Sequence, residues 1–217
     1  MTSAANILPE PADTPEVLRA VASDVVSGAE AEQEAVGFDA GLAPDDFKAA
    51  FRNHPAGVAV VTADDGTGPV AMTVTSVFSV SADPALLVFS VSDLSSSAKT
   101  IIAADTLVVH LLGADQLDIA QLGATSGIDR FADTSLWSRL ITGEPFYPSA
   151  QTWIRGRVVN SLRAGASTVV VVHALQANAP EPGSPEAEAH ETRPLVYHNR
   201  TWHKLDAQSE LPPTAKK

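Results

Sequence analysis

VAMTVTSVFSVSADPALLVFSVSDLSSSAKTI, residues 70–101, is the stretch on which the fold turns: two strand-like runs, a turn at Asp83-Pro84, and a serine-rich turn ahead of a helix. Val70, Met72, Val74 and Ser76 alternate with Ala71, Thr73, Thr75 and Val77. That period of two predicts a strand with one partly polar face, on which a small ligand could lie. Residues 85–91 are apolar nearly throughout, the pattern of a strand buried on both faces. Ser95-Ser96-Ser97 then precedes a helical segment over residues 98–103. Hydroxyls and free N–H groups at a helix start suit an anion, phosphate above all, while the plainer reading of Ser95 or Ser97 is a helix N-cap.

Upstream, residues 57–63 read as a strand and Asp64-Asp65-Gly66-Thr67-Gly68 as a turn into the strand from Pro69, together a hairpin. Gly66-x-Gly68-x-x-Ala71 matches a dinucleotide fingerprint, but that motif works only where a strand passes into a helix, and here Pro69 leads into strand-type sequence. Before the hairpin, Pro44-Asp45-Asp46 starts a short helix to residue 53 with Phe47, Ala50 and Phe51 on one apolar face. Downstream, residues 106–112 read as a strand and 116–122 as a helix capped by Asp115. Residues 128–148 are irregular, tied down by Trp137, Phe146 and Tyr147. Two long strands follow, 152–162 and 167–176, then a Pro- and Glu-rich loop and a final pair, 195–197 and 201–204, turning at Asn199-Arg200. Strands outnumber helices and most connections are turns, which argues for an antiparallel barrel with flanking helices rather than a doubly wound sheet.

The 217 residues, 45% hydrophobic and 18% charged, can bury one sizeable core. The absence of cysteine excludes disulfides, thiolate nucleophiles and Cys-based zinc sites. A net charge of −12 repels nucleic-acid phosphates and anionic membranes, so neither is an expected partner. The first residues carry neither a basic nor an apolar targeting region, and no apolar run is long enough to cross a bilayer; a soluble cytoplasmic protein is the expectation. Residues 1–43 are expected to be an acidic extension, partly disordered or loosely helical from Thr14-Pro15-Glu16, residues 44–206 the folded domain, and residues 207–217 a disordered tail.

None of the six histidines pairs with a second ligand at metal-binding spacing, and His110 and His173 lie in strands, where core roles are commoner. There is no GxSxG elbow, and Asn199-Arg200-Thr201, though it matches a glycosylation acceptor, has no secretory context. The chain therefore shows no self-sufficient acid–base or nucleophilic apparatus. A bound cofactor is the economical source of chemistry.

Residues 72–101 resemble the signature of the flavin reductase family with the FMN-binding split barrel, in which a strand of the type MTxNSFxSVSxDPPLV precedes a serine turn. Further matches follow in order: His54 to Thr62 upstream, then Leu107 to Leu112, Asp129-Arg130-Phe131, Gly143-Glu144-Pro145 and Pro194 to Tyr197. The resemblance spans roughly residues 47–205. It implies a mainly β fold, a six-stranded antiparallel Greek-key split barrel, and a homodimer with FMN, alternatively FAD, held near the interface. It implies hydride transfer from NAD(P)H to the flavin, which a separate oxygenase then uses. Carried over by motif, Thr73, Val74, Thr75 and Ser76 meet the ring and ribityl side, Ser92, Ser95 and Ser97 the phosphate, with Lys99 adding charge and Arg130-Phe131 covering the cofactor. Three positions depart from the family pattern: Thr75 and His110 stand where asparagine is usual, and Ser167 where a nicotinamide-side histidine is. The alternative is a split-barrel FMN-binding protein without reductase activity, used for storage, sensing or another redox task.

Overall fold

The structure is a computed structural model that describes residues 41–181, 183–184 and 193–211. The expected extension over residues 1–40 lies outside the described residues, as does 212–217. The chain divides after Pro44 into two units, of which Asp45–Lys217 carries the strands found among the described residues. In chain order the elements are α1 (Pro44–Phe51), β1 (Ala56–Gly57), β2 (Ala59–Asp64), β3 (Pro69–Val74), β4 (Phe78–Ala82), β5 (Ala85–Ser92), α2 (Ala98–Ala103) and β6 (Thr106–Leu111). A 3-10 turn (Ala114–Gln116) leads into α3 (Leu117–Ala124), followed by β7 (Ser138–Arg139), β8 (Pro145–Phe146), β9 (Thr152–Ala164), β10 (Ser167–Asn178), β11 (Leu195–His198) and β12 (Thr201–Lys204). Among the described residues no helix is long and apolar enough to cross a membrane.

The main sheet runs β3-β2-β6-β9-β10-β5-β4, all neighbours antiparallel. Laid flat, seven strands would separate the edges β3 and β4 by about 29 Å, at roughly 4.8 Å per strand. Yet only Thr75-Ser76-Val77 joins them, a link that reaches at most about 15 Å. The sheet must therefore curl until its edges meet, which makes it a barrel with a split between β3 and β4. Ser76 bridges that seam: its hydroxyl accepts the Ser90 N–H at 2.9 Å and lies 3.4 Å from the Ser90 carbonyl. The strand expected over 70–77 thus ends at Val74, β4 is a separate strand, and the barrel sheet has seven strands where the resemblance implies six.

The alternation along β2 and β3 sorts side chains into two clusters. Ala59, Val61, Ala63, Met72 and Val74 fill the barrel with Phe89, Val109 and Val170, and Ile101 of α2 packs with them. On the outer side, Val60 and Ala71 pack under Ile119 and Ala120 of α3, next to Phe131 and Tyr147. Each fully buried Val, Ile, Phe or Met side chain among them contributes roughly 1.5–3 kcal/mol. The helix reaches its strands closely because residue 123 is glycine: a Cβ there would lie 2.4 Å from Thr73 Oγ1 and 3.3 Å from Val60 Cγ2.

The hairpin β2–β3 forms in the expected register, Ala59 opposite Val74 and Asp64 opposite Pro69, so the Gly66-x-Gly68 segment is a β-turn. Asp64 accepts the N–H groups of Gly66 and Gly68 there and pairs with Arg139 at 2.6 Å. Other details depart from the sequence reading. Asp115 does not cap α3; Gln116 fixes the approach instead, its Oε1 accepting the Gly113 N–H and its Nε2 donating to the Ser149 carbonyl. A helix forms over α1, but none of it is buried, and the Phe47 and Phe51 rings pack against each other at a tilt of 38°, centroids 4.8 Å apart, on an open surface. The tail expected to be disordered from residue 207 begins with a 3-10 turn, Ala207–Ser209, capped by the Asp206 carboxylate.

Candidate functional site

Along β3 the polar groups named from the sequence fall into two neighbourhoods. At the first, near Ala71 and Met72, lies the serine turn. Ser97 occupies the N-cap position of α2, but its hydroxyl makes no capping bond; it donates to the Ala71 carbonyl at 3.0 Å and is 1% exposed. Its remaining acceptor capacity receives Arg130 Nη1 at 3.3 Å. Arg130 also donates to the carbonyls of Leu122 and Thr125, so its guanidinium is held in place by three uncharged acceptors and, among the described residues, by no carboxylate. A partly buried cation so fixed is a ready partner for an anion.

Ser95 bridges Met72 Sδ at 3.2 Å and the Ser97 N–H at 3.3 Å. Ser92 accepts the Leu94 N–H, and Lys99 is exposed beside the turn. Arg130, Lys99, Ser92 and Ser95 are thus the named groups of this turn that keep solvent-facing or part-buried polar atoms, the kind that suit an anion. Ser97, fully engaged and buried, positions Arg130.

The second neighbourhood is the far end of β3. Thr73 donates to the Ala120 carbonyl at 2.7 Å and so holds α3, and Val74 is buried inside the barrel. Thr75 is exposed and Ser76 is bonded across the seam. Both line an open groove of about 820 Å³. Its other walls come from α1 (Phe47, Phe51), from Phe78 of β4, and from Tyr197, Asn199 and Arg200 at the β11–β12 turn. From Met72 to Ser76 is about 13 Å at roughly 3.3 Å per residue, a span suited to a phosphorylated ribityl chain leading to a flat ring.

Two named residues lie elsewhere. Phe131 is 6% exposed, its ring packed edge-on to Trp137 and stacked near Tyr147, so the side chain belongs to the core. Ser167 begins β10 opposite Ser92 of β5, at the serine-turn end of the barrel. The residues that the sequence reading did not assign are Arg52, His54, Tyr197 and Arg200. They meet the groove from segments some 145 positions apart in the chain, and no local pattern marks them.

Behind the site, two buried polar groups anchor the 138–150 segment. His110 is fully buried in β6; its Nδ1 lies 2.9 Å from the Val60 carbonyl and its Nε2 accepts the Tyr147 N–H at 3.1 Å. These bonds define a neutral imidazole protonated on Nδ1, and burial pushes its pKa down to about 4. Glu144, 4% exposed, accepts from Thr106 at 2.5 Å, from Thr142, and from Arg155 at 2.7 Å. Burial works to raise its pKa, but these hydrogen bonds and the guanidinium outweigh it and hold the carboxyl below its usual range.

Along β3, a guanidinium held by three uncharged acceptors near one end and a groove of hydroxyls and aromatic rings at the other form an arrangement suited to a phosphorylated, flat-ringed cofactor. Residues 51–206 match the flavin reductase like domain, and the chain belongs to that family. It is 42% identical over 164 residues to an NADH:FMN oxidoreductase of Rhodococcus erythropolis, covering 76% of this chain and 83% of that one. It is 29% identical over 136 residues, 61% and 72% of the two chains, to the reductase component of a Rhodococcus opacus 4-nitrophenol 4-monooxygenase/4-nitrocatechol 2-monooxygenase. The crystal structure of a flavin reductase domain protein from Arthrobacter sp. FB24 superimposes with a TM-score of 0.66 at 28% identity, over 80% of this chain and 99% of that one.

Proposed function

We propose that this protein is an NADH-dependent flavin reductase that reduces noncovalently bound FMN and passes the reduced flavin to a separate oxygenase. The observation that carries the reading is the strip along β3, from Arg130 at the serine turn to Thr75 and Ser76 at the groove. The two Rhodococcus relatives, an NADH:FMN oxidoreductase and a monooxygenase reductase component, support the reaction and the partner class. FAD is the alternative flavin, its isoalloxazine and first phosphate taking the same strip.

The flavin, when bound, supplies the hydride acceptor, so the protein need only bind, orient and exclude water. Arg130 and Lys99 neutralise the phosphate, and Ser92 and Ser95 hydrogen-bond it. Ser76, locked to Ser90, keeps the seam rigid beneath the ring, and Phe47, Phe51 and Phe78 keep one side of the groove dry. Residues 44–206 form the catalytic domain, with residues 1–43 an extension. The protein acts in the cytoplasm as a homodimer in which the exposed Val80, Val159 and Leu162 are covered; light scattering should give about twice the 22.6 kDa chain mass.

One observation favours a second reading, an FMN-binding protein without reductase activity: Ser167 offers no imidazole to the nicotinamide. Steady-state NADH oxidation with excess FMN decides between them. Turnover well above the free-flavin background supports the reductase; tight FMN binding without turnover supports the second reading.

A further inference from the structure

The groove beside Thr75 and Ser76 has an electrostatic asymmetry that flavin binding at the β3 strip does not use. In a chain with 26 acidic and 14 Lys or Arg side chains, no carboxylate lines it among the described residues, while Lys48, Arg52 and Arg200 do. Lys48 is already paired with Asp45 at 3.2 Å. Arg52 and Arg200 are exposed, and neither forms an ion pair among the described residues. The fold holds their segments together: the Asn199 N–H donates to the Arg52 carbonyl at 3.2 Å, joining the residue after α1 to the β11–β12 turn.

That turn keeps Asn199 and Arg200 at φ of 49° and 62°, the left-handed region that a long side chain enters at some cost. A turn of glycine or asparagine would close the same hairpin without strain. The same groove is lined by the hydroxyls of Thr75 and Ser76 and by an aromatic floor of Phe47, Phe51, Phe78 and Tyr197.

We infer that Arg52 and Arg200 grip the phosphate groups of the dinucleotide hydride donor, so that its nicotinamide is delivered over the aromatic floor to the ring end of the flavin strip. The inference rests on the reductase reading. The flavin's phosphate has its own cation, Arg130, at the opposite end of β3. A second anion-binding pair beside the ring end therefore belongs to the other substrate, whose pyrophosphate suits guanidinium forks. It follows that these arginines set the apparent affinity for the donor and not the rate of hydride transfer.

The test uses the full-length protein with two donors: NADH, and 1-methyl-1,4-dihydronicotinamide, which carries the same reacting ring and no phosphate. The variants are Arg52→Gln, Arg200→Asn, whose side chain suits the left-handed backbone, and the double variant. The double variant should raise KM for NADH by about tenfold or more, as loss of charge-assisted hydrogen bonds predicts. KM for FMN and the rate with 1-methyl-1,4-dihydronicotinamide should stay within about twofold of wild type. Raising salt should weaken NADH use by wild type and barely affect the double variant. Equal losses with both donors would mean that the arginines only shape the groove, and a rise in KM for FMN instead would assign them to the flavin; either overturns the inference while leaving the reductase reading intact. Wild-type protein that binds FMN but oxidises neither donor would overturn the reductase reading itself, and this inference with it.

Discussion

Arg130 Nη1 rests 3.3 Å from Ser97 Oγ while the same hydroxyl donates to the Ala71 carbonyl, so the cation of the serine turn is positioned by a residue that is itself buried. The motif resemblance implies a phosphate contact for Ser97; in the structure its hydroxyl is shared between the Ala71 carbonyl and Arg130. Arg130→Gln should weaken FMN binding by about 1.5–3 kcal/mol, on the order of ten- to a hundredfold, and change riboflavin binding less than twofold. Ser97→Ala should cost about 1–3 kcal/mol of stability by leaving the Ala71 carbonyl unpaired, with a smaller loss of FMN affinity. Fluorescence titration with both flavins, beside urea unfolding, separates the two. Equal losses for FMN and riboflavin in Arg130→Gln would remove Arg130 from the phosphate site.

Gly123 sets how closely α3 can approach β3. Its added Cβ would sit 2.4 Å from Thr73 Oγ1 and 3.1 Å from Thr73 N, so Gly123→Ala must break the Thr73 bond to Ala120 or push the helix outward. The expected cost is about 1–3 kcal/mol, against the gain of roughly 1 kcal/mol that alanine gives an unconstrained helix position. Chemical denaturation reads the sign directly, and a stabilised variant would refute the close packing.

The buried His110 makes stability depend on pH in a defined window. Its pKa falls from an ordinary 6.5 to about 4 in the folded protein, so the unfolded chain takes up a proton between those values while the folded one does not. The neutral imidazole's stabilisation is complete above pH 6.5 and is lost as pH falls, by about 2 kcal/mol at pH 5. Comparing denaturation at pH 8 and pH 5 in wild type and His110→Gln checks it, since the variant should lose that part of the slope. Glu144, with its pKa held low, contributes stability that is present above its ordinary 4.5 and lost below, a window that starts where that of His110 is ending.

Glu144 is also the partner that makes a largely desolvated arginine tolerable. Glu144→Gln keeps the shape but leaves Arg155, only 16% exposed, without its countercharge, and should cost on the order of 3 kcal/mol. The Glu144→Gln/Arg155→Met double variant should recover part of that loss, because the unpaired charge is gone. A single variant as stable as wild type would show the pair to be incidental.

The sequence by itself determined most of the long strands, the β2–β3 and β11–β12 hairpins and an antiparallel, barrel-like arrangement. Those features are written in short-range periodicity and turn chemistry, as in the alternation of Met72, Thr73 and Val74 or the turn at Asn199-Arg200. It also marked the serine turn and Arg130, because the motifs that carry them are contiguous in the chain. Only the tertiary structure decided which hydroxyls are free. Ser97 and Ser95 look alike in sequence, yet one is buried against Ala71 and the other is only part-buried, because α2 packs its N-terminus onto β3. Closure of the barrel at Thr75-Ser76-Val77 likewise decided that Phe47, Arg52, Phe78 and Arg200 share one groove. Their convergence depends on contacts between distant segments, which no local pattern of residues encodes.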